Sequence, residues 1–282
     1  MKKRAFSLLE LSVVLLVIGL ITAGIMKGIS VVRTGRISAA RSLTVNSKIN
    51  EIPGMVSWYE TTMNESFDKD ETVDNSQTTN WYDISPESIA ERRNALTAVA
   101  SDNVVYRATG INSLPSIQFT GSGTLTLSSF FQGSSNRFTI FVVFQPTITV
   151  SATYMTLLDA YSGASTNYAI AINSSNLKIT DTSAHTITKA FLQSTSYIIC
   201  SYNNEADSKA FVSETTSATG SYTGGATKLN GLTVGADENV GNAFTGLISE
   251  IIIFNRSISD SQRKSVMSYL GQKYNIKVTG AY

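Results

Sequence analysis

The sequence predicts a mainly β protein. A long N-terminal helix, first transmembrane and then amphipathic, precedes an antiparallel jelly-roll β-sandwich with a short C-terminal helix. Three observations carry this reading. Residues 6–26 are mostly apolar and carry one charge, Glu10. Residues 27–52 set apolar side chains at helical spacing with no proline among them. From residue 55 the pattern changes to short apolar runs, many β-branched or aromatic, bounded by Gly, Ser, Asn and Thr.

Composition narrows the function classes. The chain has 282 residues, 42% of them apolar, enough for a substantial core, and only 15% charged. The formal charge of +1 gives no basic field for holding nucleic acid. One cysteine, Cys200, and one histidine, His185, exclude an intrachain disulfide, a cysteine zinc site and a two-histidine metal site. Abundant Ser and Thr with four prolines suit a β-rich, secreted protein.

Lys2, Lys3 and Arg4 open the chain, and the apolar run follows from Phe6 to Met26. As a helix it would extend about 31 Å, close to the hydrocarbon thickness of a bilayer. A cleaved secretory signal has a shorter apolar core and lacks a carboxylate within it. A plain transmembrane anchor explains the length but not Glu10. The flanking charges do not set an orientation, because Lys27, Arg33 and Arg36 balance the leader.

The segment Lys2-Lys-Arg-Ala5-Phe6-Ser-Leu-Leu-Glu10, followed by the apolar run, resembles the N-terminus of type IV prepilins and pseudopilins. That resemblance implies removal of residues 1–5 by a prepilin peptidase, with cleavage between Ala5 and Phe6. It implies N-methylation of Phe6, a cytoplasmic leader, and a role for Glu10, the fifth mature residue, in assembly. Ala5 departs from the glycine usual before the cut but keeps the small size.

Ile25, Ile29 and Val32 fall at helical spacing, as do Val45, Ile49 and Ile52. Pro53-Gly54 stops the pattern, so one helix over 6–52 is expected. Gly24 and Gly28 are its weak points. Lys27, Arg33, Arg36, Arg41 and Lys48 make a basic face, fit for lipid headgroups, for acidic patches of neighbouring subunits, or simply for water.

Beyond residue 54 the expected strands are 104–106, 116–119, 124–127, 138–144, 154–158, 168–172, 177–180, 197–202, 209–212, 232–234 and 247–254. The runs 138–144 and 247–254 are the longest and most apolar, and should be central. Many short strands with turns between them make a sandwich or jelly roll. Ser259-Asp260 then opens a helix with Val266, Tyr269, Leu270 and Tyr274 on one face.

Leu114-Pro-Ser-Ile-Gln-Phe-Thr-Gly121 resembles concanavalin-like, laminin-G-like jelly rolls. So does Gly246-Leu-Ile-Ser-Glu-Ile-Ile-Ile-Phe-Asn-Arg-Ser-Ile-Ser-Asp260 with Tyr269-Leu-Gly-Gln-Lys-Tyr274. Trp58 and Trp81-Tyr-Asp83 sit where such domains begin. These motifs are structural, and the family spans lectins, glucanases and modules without a known ligand, so they speak to fold rather than activity. The implied division is leader 1–5, transmembrane helix 6–26, amphipathic helix and linker 27–54, and jelly-roll domain 55–282.

Catalytic residues are not expected. The glucanase pattern Glu-x-Asp-x-(x)-Glu is missing, Glu250 stands alone in an apolar strand, and Glu205 and Asp207 lie in a polar turn. His185 reads as a surface-strand residue and Cys200 as a small buried hydrophobe. Asp68, Asp70, Glu71 and Asp74 cluster in one loop, with oxygen ligands of the kind calcium takes, or as an ordinary solvated loop. Their spacing departs from the EF-hand, with Thr72 where an acid or amide belongs. Asp237-Glu-Asn239 is a second such loop. No other cofactor is expected. Tyr161, Tyr168 and Tyr222 are candidates for stacking on sugars.

The expected function is that of a structural subunit rather than an enzyme. A minor or tip-like pilin, stored in the bacterial inner membrane, would be cleaved, methylated and assembled into a pilus-like filament that displays the jelly roll. Its partners would be other pilins, the prepilin peptidase, the membrane and a glycan, but not nucleic acid. The alternatives are a type II secretion pseudopilin and a membrane-tethered carbohydrate-binding protein.

Overall fold

The computed structural model describes residues 8–86, 95–99, 101–128, 137–160, 168–180, 183–213, 218–223, 229, 231–239 and 241–278. Helix α1 (Leu8–Val45) comes first. Its length of 38 residues corresponds to about 57 Å. Among the described residues one helix is long and apolar enough to cross a membrane, and it is this one. Its first half is bare: Leu8, Leu15 and Leu20 are 87%, 61% and 66% exposed.

The α-helix ends at Val45, short of the expected Ile52. Asn46 turns its amide onto the Ser42 carbonyl at 2.8 Å. Ser47 accepts from the Ile49 amide and caps a 3-10 turn, Lys48–Glu51. Short polar side chains compete in this way with the helical backbone. The turn swings Ile49 and Ile52 into a buried cluster with Ala40 and Trp58. Ile25, Ile29 and Val32, by contrast, stay more than half exposed.

Sixteen strands follow among the described residues. They are β1 (Met55–Glu60), β2 (Asn80–Trp81), β3 (Leu96–Val99), β4 (Val104–Arg107), β5 (Ser116–Phe119), β6 (Thr124–Leu127), β7 (Arg137–Pro146) and β8 (Met155–Asp159). The rest are β9 (Ala169–Ile172), β10 (Asn176–Thr180), β11 (Ala184–Thr188), β12 (Tyr197–Asn204), β13 (Ser208–Ser213), β14 (Ala218–Tyr222), β15 (Leu232–Val234) and β16 (Gly246–Phe254). The first sheet runs β14-β13-β12-β7-β16-β5-β4, with β1 also on β16; the second runs β11-β10-β9-β8-β15-β6-β3-β2. Neighbouring strands pair antiparallel.

Strand β16 is the hub. One edge pairs with β7 along its length, while the other is shared by β5, against Gly246–Ile248, and β1, against Glu250–Phe254. The register shifts between Ile248 and Glu250. This bulge at Ser249 flips the alternation. Ile248, Ile251 and Ile253 face the second sheet, while Leu247, Ile252 and Phe254 face the opposite side. Glu250 is thereby aimed out of the sandwich core. Elsewhere the packing demands glycine at Gly235, whose φ is +95° and where a Cβ would lie 2.4 Å from the Phe119 ring.

The molecule has three layers. One core lies between the sheets, around Trp81, Phe119, Phe138 and Phe144. The second lies between the outer face of the first sheet and the helices, around Trp58, Phe141, Ile252, Leu270 and Ala40. Helix α2 (Asp260–Tyr274) supplies this layer with Val266, Met267, Leu270 and Tyr274. It starts with a reciprocal capping box between Ser259 and Gln262 and ends on Asn275 in the left-handed conformation. Ser259→Ala removes the oxygen that accepts the Gln262 amide, and should lower stability by about 1 kcal/mol in chemical unfolding of the full chain in detergent.

Candidate functional site

Two acidic residues oppose each other across the β1–β16 pair. Glu60 and Glu250 are direct register partners, and both are buried. Like charges so placed repel. The third member resolves this: Lys273, from the last turn of α2, puts its ammonium 2.5 Å from Glu60 Oε2 and 2.8 Å from Glu250 Oε2. Its remaining N–H reaches Thr44 Oγ of α1 at 2.9 Å.

Every carboxylate oxygen of the pair accepts several donors. Glu60 takes the Thr62 and Met63 amides at 2.9 and 2.5 Å. Glu250 takes Trp58 Nε1 at 2.7 Å and the hydroxyls of Tyr269 and Tyr274, both at 2.9 Å. Burial pushes the Glu250 carboxyl up, against the opposing pull of Lys273. Burial lowers the Lys273 ammonium, but Glu250 and Glu60 outweigh it and hold the group above its ordinary value. The Tyr269 and Tyr274 phenols are raised, chiefly by burial and then by the neighbouring carboxylates.

The network joins α1, β1, β16 and α2 at one point. Arg41 adds a second grip, donating to the Thr62 carbonyl at 2.6 Å and to Asn64 Oδ1 at 2.7 Å. Asp83 adds a third. It accepts the Trp58 and Ser85 amides, both at 2.8 Å, and burial raises its carboxyl. The C-terminal half of α1 is therefore built into the head. Enclosed on all sides, the cluster offers no access to a substrate; its chemistry is that of a clamp.

The sequence candidates lie elsewhere. Ala5 and Phe6 fall outside the described residues. Glu10 sits in the first turn of α1, on an exposed apolar stretch. The four acids of the 68–74 loop do not converge. Asp68 accepts from Tyr82, Glu71 from Thr79, and Asp74 from the Ala108 amide, while Asp70 faces solvent. Among the described residues no three of His, Cys, Asp or Glu gather as a metal ion requires, so calcium finds no ligand set there. Cys200 is fully buried and its thiol is pushed up by burial. His185 lies on β11 opposite Ile179. Tyr168 is buried against Ser201 and presents no face to a sugar. Tyr161 and the Tyr222 side chain lie outside the described residues.

Glu60, Lys273 and Asp159 carry no signal in the sequence. Asp159, at the end of β8, is 5% exposed; its Oδ2 accepts the Glu238 amide at 3.0 Å, and its Oδ1 is buried with no hydrogen bond. Burial pushes this carboxyl up to about 6, with the Glu238 and Asp237 charges adding to the effect. Only the strand end and the Asp237 turn together could reveal it. The Asp237 loop is visible in the sequence, but its meeting with the end of β8 is not.

No protein-family model and no curated protein matches the chain. Solved structures do. Domain 4 of an extracellular arabinanase from Geobacillus stearothermophilus, in complex with arabinotriose, matches at 13% identity and a TM-score of 0.50. The match covers 75% of this chain and 97% of that one. An α-L-arabinofuranosidase soaked with a cyclic sulfate inhibitor matches at 10% identity and 0.57, over 82% of this chain and 65% of that one. A mutant Trypanosoma rangeli sialidase displaying trans-sialidase activity matches at 12% identity and 0.53, over 80% and 34%. This chain therefore spans only part of the two enzymes. At such identities the likeness shows a shared β-sandwich fold.

These likenesses correct one expectation. The missing carboxylate motif argues for a chain that is not an enzyme, and that argument does not stand. Its fold occurs in chains of an arabinofuranosidase and a sialidase, so a short motif on one strand is not what decides catalysis.

Two outcomes follow from the site. Lys273→Met strands two buried carboxylates and should cost about 3–5 kcal/mol in chemical unfolding. Adding Glu60→Gln and Glu250→Gln should recover much of that loss. Asp159 works in the other direction. Its folded-state value of about 6 lies above the ordinary 3.8, so the unfolded chain binds fewer protons between these values. Its contribution falls as pH rises through that window and is fully unfavourable above it. Asp159→Asn should stabilise the chain at pH 7.5, by at most about 3 kcal/mol, and confer nothing near pH 4. Paired thermal melts across pH 4–8 measure the crossover.

Proposed function

We propose that the chain is a filament-forming membrane subunit of the type IV pilin kind, stored in the inner membrane through α1 and assembled with its β-sandwich outward. The supporting observation is the division of α1. Its N-terminal half is bare and apolar, whereas its C-terminal half is locked into the head by Thr44, Arg41 and the Lys273 network. A tether for a freely moving domain needs only a flexible linker. A subunit that packs by its helix into a repeating array needs its head at one fixed angle, and a buried clamp provides it.

The N-terminal pattern supports the same reading. Processing between Ala5 and Phe6 would expose an amine at the start of the apolar helix. Glu10 carries a charge that costs about 2.5–3.5 kcal/mol at a bilayer centre and less near its edge. The Phe6 amine of an adjoining subunit would offset it, so assembly would relieve the cost and set the axial offset between subunits.

A second reading concerns the head. The likeness to an arabinanase domain solved with arabinotriose favours a glycan as what the sandwich meets, whether on a filament or on a membrane-anchored protein. Binding of the full chain in detergent to a glycan array tests this separately.

The filament reading is tested by Glu10→Gln, which keeps shape and removes charge. Sheared-filament yield should fall several-fold while the membrane pool stays intact. Intact mass of the mature protein should show residues 1–5 absent and one methyl group added. Normal filaments from the variant, or a mature chain starting near Gly24, would overturn the reading.

A further inference from the structure

A groove of about 470 Å³ lies where α1 leaves the head. Ile25, Ile29 and Val32 form its apolar wall, each more than half exposed. Arg33 and Arg36 stand at its upper end, and Thr109 and Ser113, from the turn between β4 and β5, face them. Gly28 leaves a notch in the apolar wall, since a Cβ there meets nothing within 4 Å.

Among the described residues the two guanidiniums have no counterion. No acid occurs between Glu10 and Glu51 in the sequence. Neither arginine is in an ion pair among the described residues, and Arg33 Nε is buried without a hydrogen-bond partner. A buried donor of this kind is costly unless water or a ligand supplies an acceptor.

Position along the helix matters as well. Taking α1 to span a bilayer, as the proposed function does, residues 6–26 fill the hydrocarbon. Ile25 and Ile29 then lie at its boundary, with the arginines two to three turns above, among the headgroups. Both arginines line the groove at the end where α1 meets the head. Apolar wall and cationic end thus follow each other in the order of acyl chain and phosphate.

We propose that this groove holds one anionic glycerophospholipid, with its phosphate between Arg33 and Arg36, its glycerol ester region beside Val32 and Ile29, and an acyl chain leaving along Ile25 into the hydrocarbon. Guanidinium suits the task because its planar fork bonds phosphate oxygens in pairs. The lipid would be a partner of the stored subunit, seating the head against the membrane surface.

Native mass spectrometry of the full chain in detergent tests this, with equal amounts of dioleoyl-phosphatidylglycerol and dioleoyl-phosphatidylcholine added. The parent chain should retain the anionic lipid at least fivefold over the zwitterionic one. Arg33→Gln with Arg36→Gln should abolish the preference without changing the melting temperature. Gly28→Leu, which fills the notch at constant charge, should lower retention of both lipids. Equal retention by the parent would overturn the proposal. So would a preference that survives the double substitution, displacement by glycerol phosphate lacking acyl chains, or an arginine-dependent dimer in place of a lipid adduct. Alkaline extraction of membranes separates the two levels. A chain that is released overturns the membrane reading itself, whereas a retained chain without lipid preference overturns only the groove.

Discussion

Two glutamates facing each other on paired strands, both buried, constrain everything built on that face of the sheet. Glu60 and Glu250 hold their positions only because Lys273 reaches between them. An uncompensated buried charge costs several kcal/mol, so the helix that brings the lysine must dock in one place. The Ser249 bulge aims Glu250 outward, and the capping box and Asn275 fix where α2 begins and ends. A purely apolar layer would tolerate sliding by part of a turn. An ammonium with three short bonds, to Glu60, Glu250 and Thr44, does not.

Because Thr44 belongs to α1, the same constraint reaches out of the head. The helix end, the turn through Ser47 and the residues Ile49 and Ile52 are all seated around it. Arg41 repeats the connection one turn earlier along α1. The second core, shared by sheet, α2 and α1, thus crosses the point at which composition changes in the sequence. The part of α1 before the groove is exposed along its length, and it is the part long and apolar enough to cross a membrane.

The architecture was legible because periodicity reports it directly. β5, β6 and β15 begin and end where alternation and turn residues place them, and Val266, Tyr269, Leu270 and Tyr274 are buried as their spacing requires. The strands β1, β2, β3 and β14 are not legible in the sequence, and β11 only through the alternation around His185. β1 carries a register shift at its start and a buried acid at its end, and β14, with Thr-Gly-Ser at its centre, is held by pairing with β13 rather than by propensity. The clamp was the least legible feature. Glu250 stood out as a lone acid in an apolar strand, but its partners lie on β1, far off in sequence, and on a helix where a lysine looks like surface. The acids of residues 68–74 misled for the converse reason: proximity in sequence does not make their oxygens converge, and each turns to a different backbone or hydroxyl donor.

The functional account depends on α1 and the head moving as one body. Spin labels at Thr34→Cys on α1 and Thr188→Cys on β11, with Cys200 buried and unreactive, report the distance between them by electron–electron resonance in detergent. The account requires a single narrow distribution that broadens when Lys273 is replaced by methionine. A broad distribution in the parent chain would show a tethered head and contradict the clamp.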